Sequence, residues 1–357
     1  MALYRIFPSK DSSIYSEVAT TNTGRDELLE VGRYLSEGSY RTVRSLVEFD
    51  TSEIQDVINN KSNKTLLGAT LNLKLNFAQQ LPTGFSIEAK ALTEPWVEGT
   101  GKFGDSPVNT TGCSWNKRDA TNDWSTPGGG VVKIFNANSG LGSNVTVSGS
   151  QAFNKNSDYD ISMGVGGAMT EWYSGSLANN GFLIKLDDTS EASTDTSTRL
   201  KYYGSDTNTI YPPFLEIRWR DFTHSTGSLP ALTDSEAVVT IRNNKGEYKD
   251  EGKTRFRLHA RPKYPPRTFT TSSAFVKNYY LPTTSYWGLK DENTEEMVVD
   301  FDTNYTQISC DATSSFFDIH MDGLEPERYY RLLVKTVIDG SDIIVDDDQI
   351  FKITRNG

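Results

Sequence analysis

The sequence predicts an all-β protein of two or more sandwich-type domains, and three observations predict it. Apolar residues recur in short or alternating runs between turn-rich stretches, and almost nowhere at i, i+3, i+4, i+7 for three helical turns. The residue mixture favours strands: 17 Tyr and 17 Phe raise the aromatic share to 11%, alongside many Val, Ile and Thr. At 357 residues the chain exceeds one ordinary sandwich, which calls for two domains or three.

The strands follow in order. Leu28 to Val31 and Thr42 to Phe49 come first, then LGATLNLKLNF, where Leu71, Leu73, Leu75 and Phe77 alternate with Thr70, Asn72, Lys74 and Asn76. With a side-chain period of two, one of those faces must be buried. Phe85 to Leu92, Val131 to Phe135, Tyr159 to Ser162, Phe182 to Leu186, Arg199 to Tyr203 and Phe214 to Trp219 continue the series. Two short helical turns interrupt it: TSEIQDVINN, which Thr51 or Ser52 would cap, and VGGAMTEWYSG, which ends in Gly175. Residues 97–130 are rich in Gly, Asn, Asp, Ser and Thr, and a loop of that length normally has a job.

After Arg220 the polar stretch DFTHSTGSLPALTDSEA reads as a junction. Strands resume at Ala237 to Arg242, Thr254 to Ala260, Glu296 to Phe301, Phe316 to Met321, Tyr329 to Val337 and Gln349 to Ile353. Asp339-Gly340 supplies the positive-φ turn of a closing hairpin. Pro262, Pro265 and Pro266 cannot donate to a central ladder, so they fit an edge or a connecting arm. The expected division is 1–222, a linker and arm with β-strands at 223–280, and a last β domain at 281–357.

Eight pieces carry a family likeness: FPSKDSSIYSE, LLEVGRY, RTVRSLVEFDTSEI, LLGATLNLKLNF, IEAKALTEPWVEGTGK, GCSWNKRD with TPGGG, MTEWYSGSLANNGFLIKLDD and LKYYGSDTNTIYPPFLEIRW. In this order they make residues 4–220 resemble the DNRLRE-type domain, a jelly-roll β-sandwich related to carbohydrate-binding modules. LEPERYYRLLVKTVIDG resembles a strand pair of immunoglobulin- or fibronectin-like domains. The implied fold is an N-terminal jelly roll followed by a smaller immunoglobulin/fibronectin-like sandwich. The whole chain also resembles structural proteins of tailed-bacteriophage virions, particularly those of large contractile-tailed cyanophages. That resemblance implies a non-enzymatic part of a tail, baseplate, neck or fibre, assembled in the host cytoplasm, with other virion proteins and copies of itself as partners.

Charge and motif content agree with that expectation. The net charge of -11 opposes nucleic acid and anionic membranes as partners. No secretory signal precedes LYRIF, and no run approaches the roughly 18 apolar residues of a membrane span, so membrane insertion is not expected. Cys113 and Cys310 belong to no metal-ligand spacing and are expected as buried free thiols. His224, His259 and His320 sit in no hydrolase or metalloprotease motif, and consecutive acids such as Asp346-Asp347-Asp348 point to opposite faces of a strand, so no acid-base set emerges.

The remaining candidates concern binding. Trp115 and Trp124, with Lys117 and Arg118 beside them, would stack on a cell-surface glycan and favour an acidic one. Tyr279-Tyr280 and Tyr286-Trp287 would either anchor an interface or belong to a core. No cofactor is expected except a structural calcium of the kind jelly-roll modules hold, with Asp11 and Asp187 or Asp188 as its ligands.

Overall fold

Side chains that alternate between apolar and polar need two surfaces to face, and the chain supplies them as sheets. The computed structural model describes residues 3–62, 66–130, 135–136, 144–145, 148–194, 197–266 and 273–355. The expected strand at Val131 to Phe135 lies almost wholly outside them. The chain divides into two compact units, Arg5–Lys61 with Gly68–Ile217, and Met1–Tyr4 with Ser62–Leu67 and Arg218–Gly357.

In chain order the first strands are β1 (Leu3–Ile6), β2 (Pro8–Tyr15), β3 (Leu28–Ser36), β4 (Ser39–Phe49), β5 (Leu66–Leu73), β6 (Leu75–Gln79) and β7 (Gly84–Ala91). They continue as β8 (Phe135–Asn136), β9 (Asn144–Val145), β10 (Ser148–Asn154), β11 (Ile161–Gly164), β12 (Phe182–Leu186), β13 (Thr198–Tyr203) and β14 (Phe214–Trp219). An eight-stranded antiparallel sheet runs β10-β7-β12-β4-β3-β13-β6, with β2 also on β4. A four-stranded sheet runs β1-β14-β5-β11, and β8 pairs with β9. The architecture is all-β and sandwich-like: Leu29, Val31, Leu200 and Tyr202 are buried on one face of the large sheet, and Leu71 and Leu73 are buried on β5.

The continuous alternation expected through LGATLNLKLNF breaks at Lys74. Leu71 and Leu73 are buried, whereas Leu75 is only half buried and Phe77 is 46% exposed. The chain changes sheets there. The Leu75 amide donates to Asp160 Oδ1 at 2.7 Å and the Lys74 carbonyl accepts from the Tyr203 amide, so β6 leaves β11 and pairs with β13. Once the strand has changed partners, its period no longer reports one core.

Helices are short. α1 (Thr51–Asp56) is capped by Asp50, which takes the amides of Ser52 and Glu53, one position earlier than expected. α2 (Gly166–Ser174) closes on Gly175 with φ 75°, as the sequence indicates. α3 (Asp188–Ala192) was not anticipated; Asp187 caps it. Among the described residues no helix is long and apolar enough to cross a membrane.

The second unit holds β15 (Ala237–Ile241), β16 (Glu247–Lys249), β17 (Lys253–Pro262), β18 (Ser285–Asp291), β19 (Met297–Val299), β20 (Ser309–Cys310), β21 (Ser315–His320), β22 (Tyr329–Ile338) and β23 (Ser341–Thr354). They form sheets in the orders β15-β17-β21-β20 and β16-β23-β22-β18-β19. The stretch expected as linker and arm thus contributes β15, β16 and β17. The core is aromatic: Trp287 stacks on Phe317 with centroids 5.5 Å apart and planes 7° apart, and Phe256 joins Phe317 to Phe351. Each such side chain, fully withdrawn from water, contributes roughly 3 kcal/mol. The final hairpin turns at Asp339 (φ 48°) and Gly340 (φ 74°), the conformation that dipeptide favours.

Candidate functional site

The eight-stranded sheet carries a cleft lined largely by polar side chains of β3 and β13. In β3 and β13, Glu30 lies directly opposite Lys201, so their side chains leave the same face. Glu30 Oε1 meets Lys201 Nζ at 2.6 Å, and Oε2 meets Arg199 Nε at 2.7 Å. The Arg199 guanidinium lies 4.8 Å from the Tyr34 ring centroid, and the Tyr34 hydroxyl donates to Glu17 Oε2 at 2.8 Å. This network forms the floor.

The wall is aromatic. Tyr15, at the end of β2, is buried, and its ring lies 4.8 Å from that of Phe103, which is 43% exposed. Asp26 fixes Phe103 in place by accepting its backbone amide at 3.2 and 3.3 Å. Asp26, Glu27 and Lys102 stand at the mouth, and the cleft encloses about 440 Å³. Burial raises the Asp26 carboxyl above its ordinary range, and burial followed by the charges of Glu30 and Asp26 raises the Tyr15 phenol further still. The result is a neutral phenol and one exposed aromatic face beside fixed donors and acceptors, an arrangement suited to holding a polar ligand that has an apolar face.

The loop that delivers Phe103 is organised by Asn22, which is fully buried. Its Nδ2 donates to the carbonyls of Glu98 at 2.6 Å and Cys113 at 2.9 Å, and its Oδ1 accepts from the Gly101 amide at 2.8 Å. At Gly112 a Cβ would strike Asn22 Nδ2 at 2.6 Å, so the approach requires glycine.

The expected glycan residues lie in this same loop, where they hold it together. Trp124 is 4% exposed, donates from Nε1 to the Ser114 carbonyl at 2.9 Å and packs with Trp96, Cys113 and Leu183, leaving no face for a sugar. Trp115 is half buried against that cluster, with the Arg44 guanidinium 5.0 Å from its centroid. Lys117 is paired with Asp123 at 3.2 Å and Arg118 with Glu94 at 4.0 Å, so the positive charge expected to attract an acidic glycan is locally balanced.

Among the expected interface anchors, Trp287 is 1% exposed and belongs to the core; Tyr279, Tyr280 and Tyr286 are half buried, and Tyr279 packs on that core. The large apolar side chains open to solvent include Tyr264, Phe275 and Val276, at 71%, 56% and 72%, as well as Ile344 and Leu35. The Arg261 guanidinium sits 4.9 Å from the Phe275 ring, and His259 Nε2 lies 3.1 Å from the Phe275 carbonyl oxygen.

The candidate metal ligands have separate structural roles. Asp11 is 1% exposed; its Oδ2 accepts from the Ser205 amide at 2.6 Å, and its own amide donates to Glu98 Oε1 at 2.9 Å. Burial pushes its carboxyl up to about 7, with Glu98 and Asp206 adding to the rise. Asp187 caps α3, and Asp188 pairs with Lys185 at 2.7 Å. Among the described residues no three His, Cys, Asp or Glu side chains gather to hold a metal. Cys113 and Cys310 are both free and buried. His259 and His320 are buried in the second unit, and the His320 ring lies edge-on to Tyr4 and Trp219.

No family model matches this chain, and no curated protein matches it. Among solved structures it is similar to a DUF4785 family protein from Legionella pneumophila, at 7% identity and a TM-score of 0.19 over 97% of this chain. The match spans 65% of the Legionella protein's length. It is also similar to the adhesin domain of Epf from Streptococcus pyogenes, at 8% identity and a TM-score of 0.18, covering 98% of this chain and 99% of that one. At such scores neither likeness bears on function.

Sequence reasoning passed over Tyr15, Glu30, Phe103, Arg199 and Lys201. The Glu30–Lys201 pairing depends on register between strands far apart in the chain, which one sequence does not reveal. Phe103 left a faint trace: the one phenylalanine within residues 97–130, which also hold Trp115 and Trp124.

Proposed function

We propose that this chain is a non-enzymatic structural protein of a tailed-phage virion, part of the tail, baseplate, neck or a fibre, which works by protein–protein assembly. In this reading residues 1–222 form the jelly roll and 281–357 the immunoglobulin/fibronectin-like domain. Other virion proteins and copies of the same chain are the partners, and the virion is its location.

The observation that carries the proposal is the exposure of Tyr264, Phe275 and Val276 beside the end of β17. Tyr264 lies two residues past β17 and the Phe275 ring lies 4.9 Å from the Arg261 guanidinium of that strand, and large apolar side chains left open to solvent suit a surface that is covered in use. The ordered likeness of residues 4–220 to the DNRLRE-type domain supports the rest.

Mass spectrometry of purified particles, with wild type and a Tyr264→Ser, Phe275→Ser, Val276→Ser variant supplied in trans, tests it. Wild type should co-purify stoichiometrically, and the folded variant should be lost from particles. A wild-type chain absent from particles would end this reading. A second reading, recognition of a cell-surface glycan, is favoured by the cleft between Phe103 and the Glu30 network.

A further inference from the structure

β23 is paired on one side far more than on the other. β22 follows it from Ser341 to Lys352, whereas β16 meets it only at Lys352, Ile353 and Thr354, and the Asn244 side chain caps the Ile350 carbonyl at 2.9 Å. Among the described residues no strand pairs with residues 342–346 on that second side. Which groups face outward follows from the register. Val337 lies opposite Asp342, yet its amide donates away from β23, to the Thr284 carbonyl at 3.2 Å. The two therefore form a non-hydrogen-bonded pair, and Asp342 directs its own amide and carbonyl away from β22. By the two-residue alternation Ile344 and Asp346 do the same. Their side chains are exposed, Ile344 to 61%, while Ile343 and Val345 pack on the core from the opposite face and hold the strand in place.

Charge decides what this open edge takes. Lys335 holds Asp342 at 2.9 Å, while Arg331 is shared by Glu292 at 2.6 Å, Asp346 at 3.2 Å and Asp348 at 3.5 Å. Asp347 is exposed and has no cation partner among the described residues. The neighbouring Lys290 and Lys352 are each held by a carboxylate of their own, Glu295 and Glu327. Five carboxylates thus share two cations along the edge. A second copy docking antiparallel about Ile344 would bring its Asp342 opposite Asp346, so the edge repels its own kind. An extended segment with Lys or Arg at alternate positions gains both the backbone hydrogen bonds and the charge. We infer that residues 342–346 of β23 accept a basic β-strand from a different protein, which extends the sheet. This rests on the assembly reading above but uses residues other than Tyr264, Phe275 and Val276.

The probes are two fluorescein-labelled nine-residue peptides, one alternating lysine with valine and one alternating glutamate with valine, titrated by anisotropy into the full chain. The lysine peptide should bind at least tenfold more tightly and slow amide exchange across residues 342–346. Ile344→Pro removes one outward amide without touching the β22 ladder, so it should abolish binding with the circular dichroism spectrum kept. Asp342→Lys with Asp347→Lys, both exposed, should weaken the lysine peptide tenfold or more and admit the glutamate one. Equal affinity for the two peptides, binding of neither at millimolar concentration, or Ile344→Pro binding as wild type does would overturn the assignment. So would a wild-type dimer in sedimentation equilibrium that Ile344→Pro dissociates, since the occupant would then be a second copy. A chain absent from particles that still binds the lysine peptide would end the virion reading alone, and a chain present in particles that binds neither peptide would end this one alone.

Discussion

Asn22 Nδ2 and the Glu98 carbonyl oxygen lie 2.6 Å apart, and through that hydrogen bond a fully buried amide connects the chain after β2 to the long loop before β8. With the Cys113 and Gly101 bonds, one side chain satisfies three backbone groups that no strand pairing could reach.

Asn22→Ala leaves those groups buried and unpaired. The expected loss is about 3 kcal/mol, at roughly 1 to 3 kcal/mol per orphaned group with partial relaxation. A urea midpoint unchanged from wild type would show that the loop holds without it.

Asp11 gives the fold a pH dependence. Its carboxyl titrates near 7 in the folded state against 3.8 ordinarily, so the folded chain binds the proton more tightly. Its contribution to stability is therefore fully present below about pH 4, is lost as pH rises from there through 7, and levels off beyond, by on the order of 4 kcal/mol in all. Asp11→Asn keeps an acceptor for the Ser205 amide and should flatten this slope. Chemical denaturation at pH 5 and pH 8 on both proteins decides it, and parallel slopes would count against burial as the cause.

Glu191 bonds bidentately to Arg44 at 2.9 and 2.7 Å and also meets Lys185, which is 3% exposed, at 3.1 Å. Glu191→Ala takes the carboxylate from Arg44 and leaves Lys185 with Asp188 as its carboxylate partner, and should cost about 2 kcal/mol. In a double-mutant cycle, Arg44→Met should restore part of that loss. Additive effects would mean the pair is not coupled.

Trp287 and Tyr286 are neighbours in β18 with opposite surroundings. Trp287→Ala opens a cavity against Phe317 and should cost about 4 kcal/mol, whereas Tyr286→Ala should stay near 1 kcal/mol. Equal losses would place Trp287 outside the core.

Gly340, at φ 74°, sits where an L side chain is strained, so Gly340→Ala should lower stability by about 1 kcal/mol with the hairpin register kept. Thermal denaturation reads this directly.

Much of the strand content was legible because alternation is a local property. The runs Thr42 to Phe49, Phe182 to Leu186 and Arg199 to Tyr203 each lie within an observed strand, and Asp339-Gly340 turns as its backbone preference dictates. Gly175 ends α2 for the same kind of reason.

Exposure was far less legible, because it depends on what arrives from elsewhere in the chain. Trp124 and Trp287 looked like surface anchors by composition, yet each is enclosed by residues distant in sequence, Leu183 for one and Phe317 for the other. The sequence by itself determined a strand-rich chain, its tight turns and its acidic balance, all set by residue type and period. Only the tertiary structure decided which charges cancel and which aromatic stays open. Glu30 meets Arg199 and Lys201, and Phe103 meets Tyr15, through β-sheet register and loop packing, and those are properties of the folded chain.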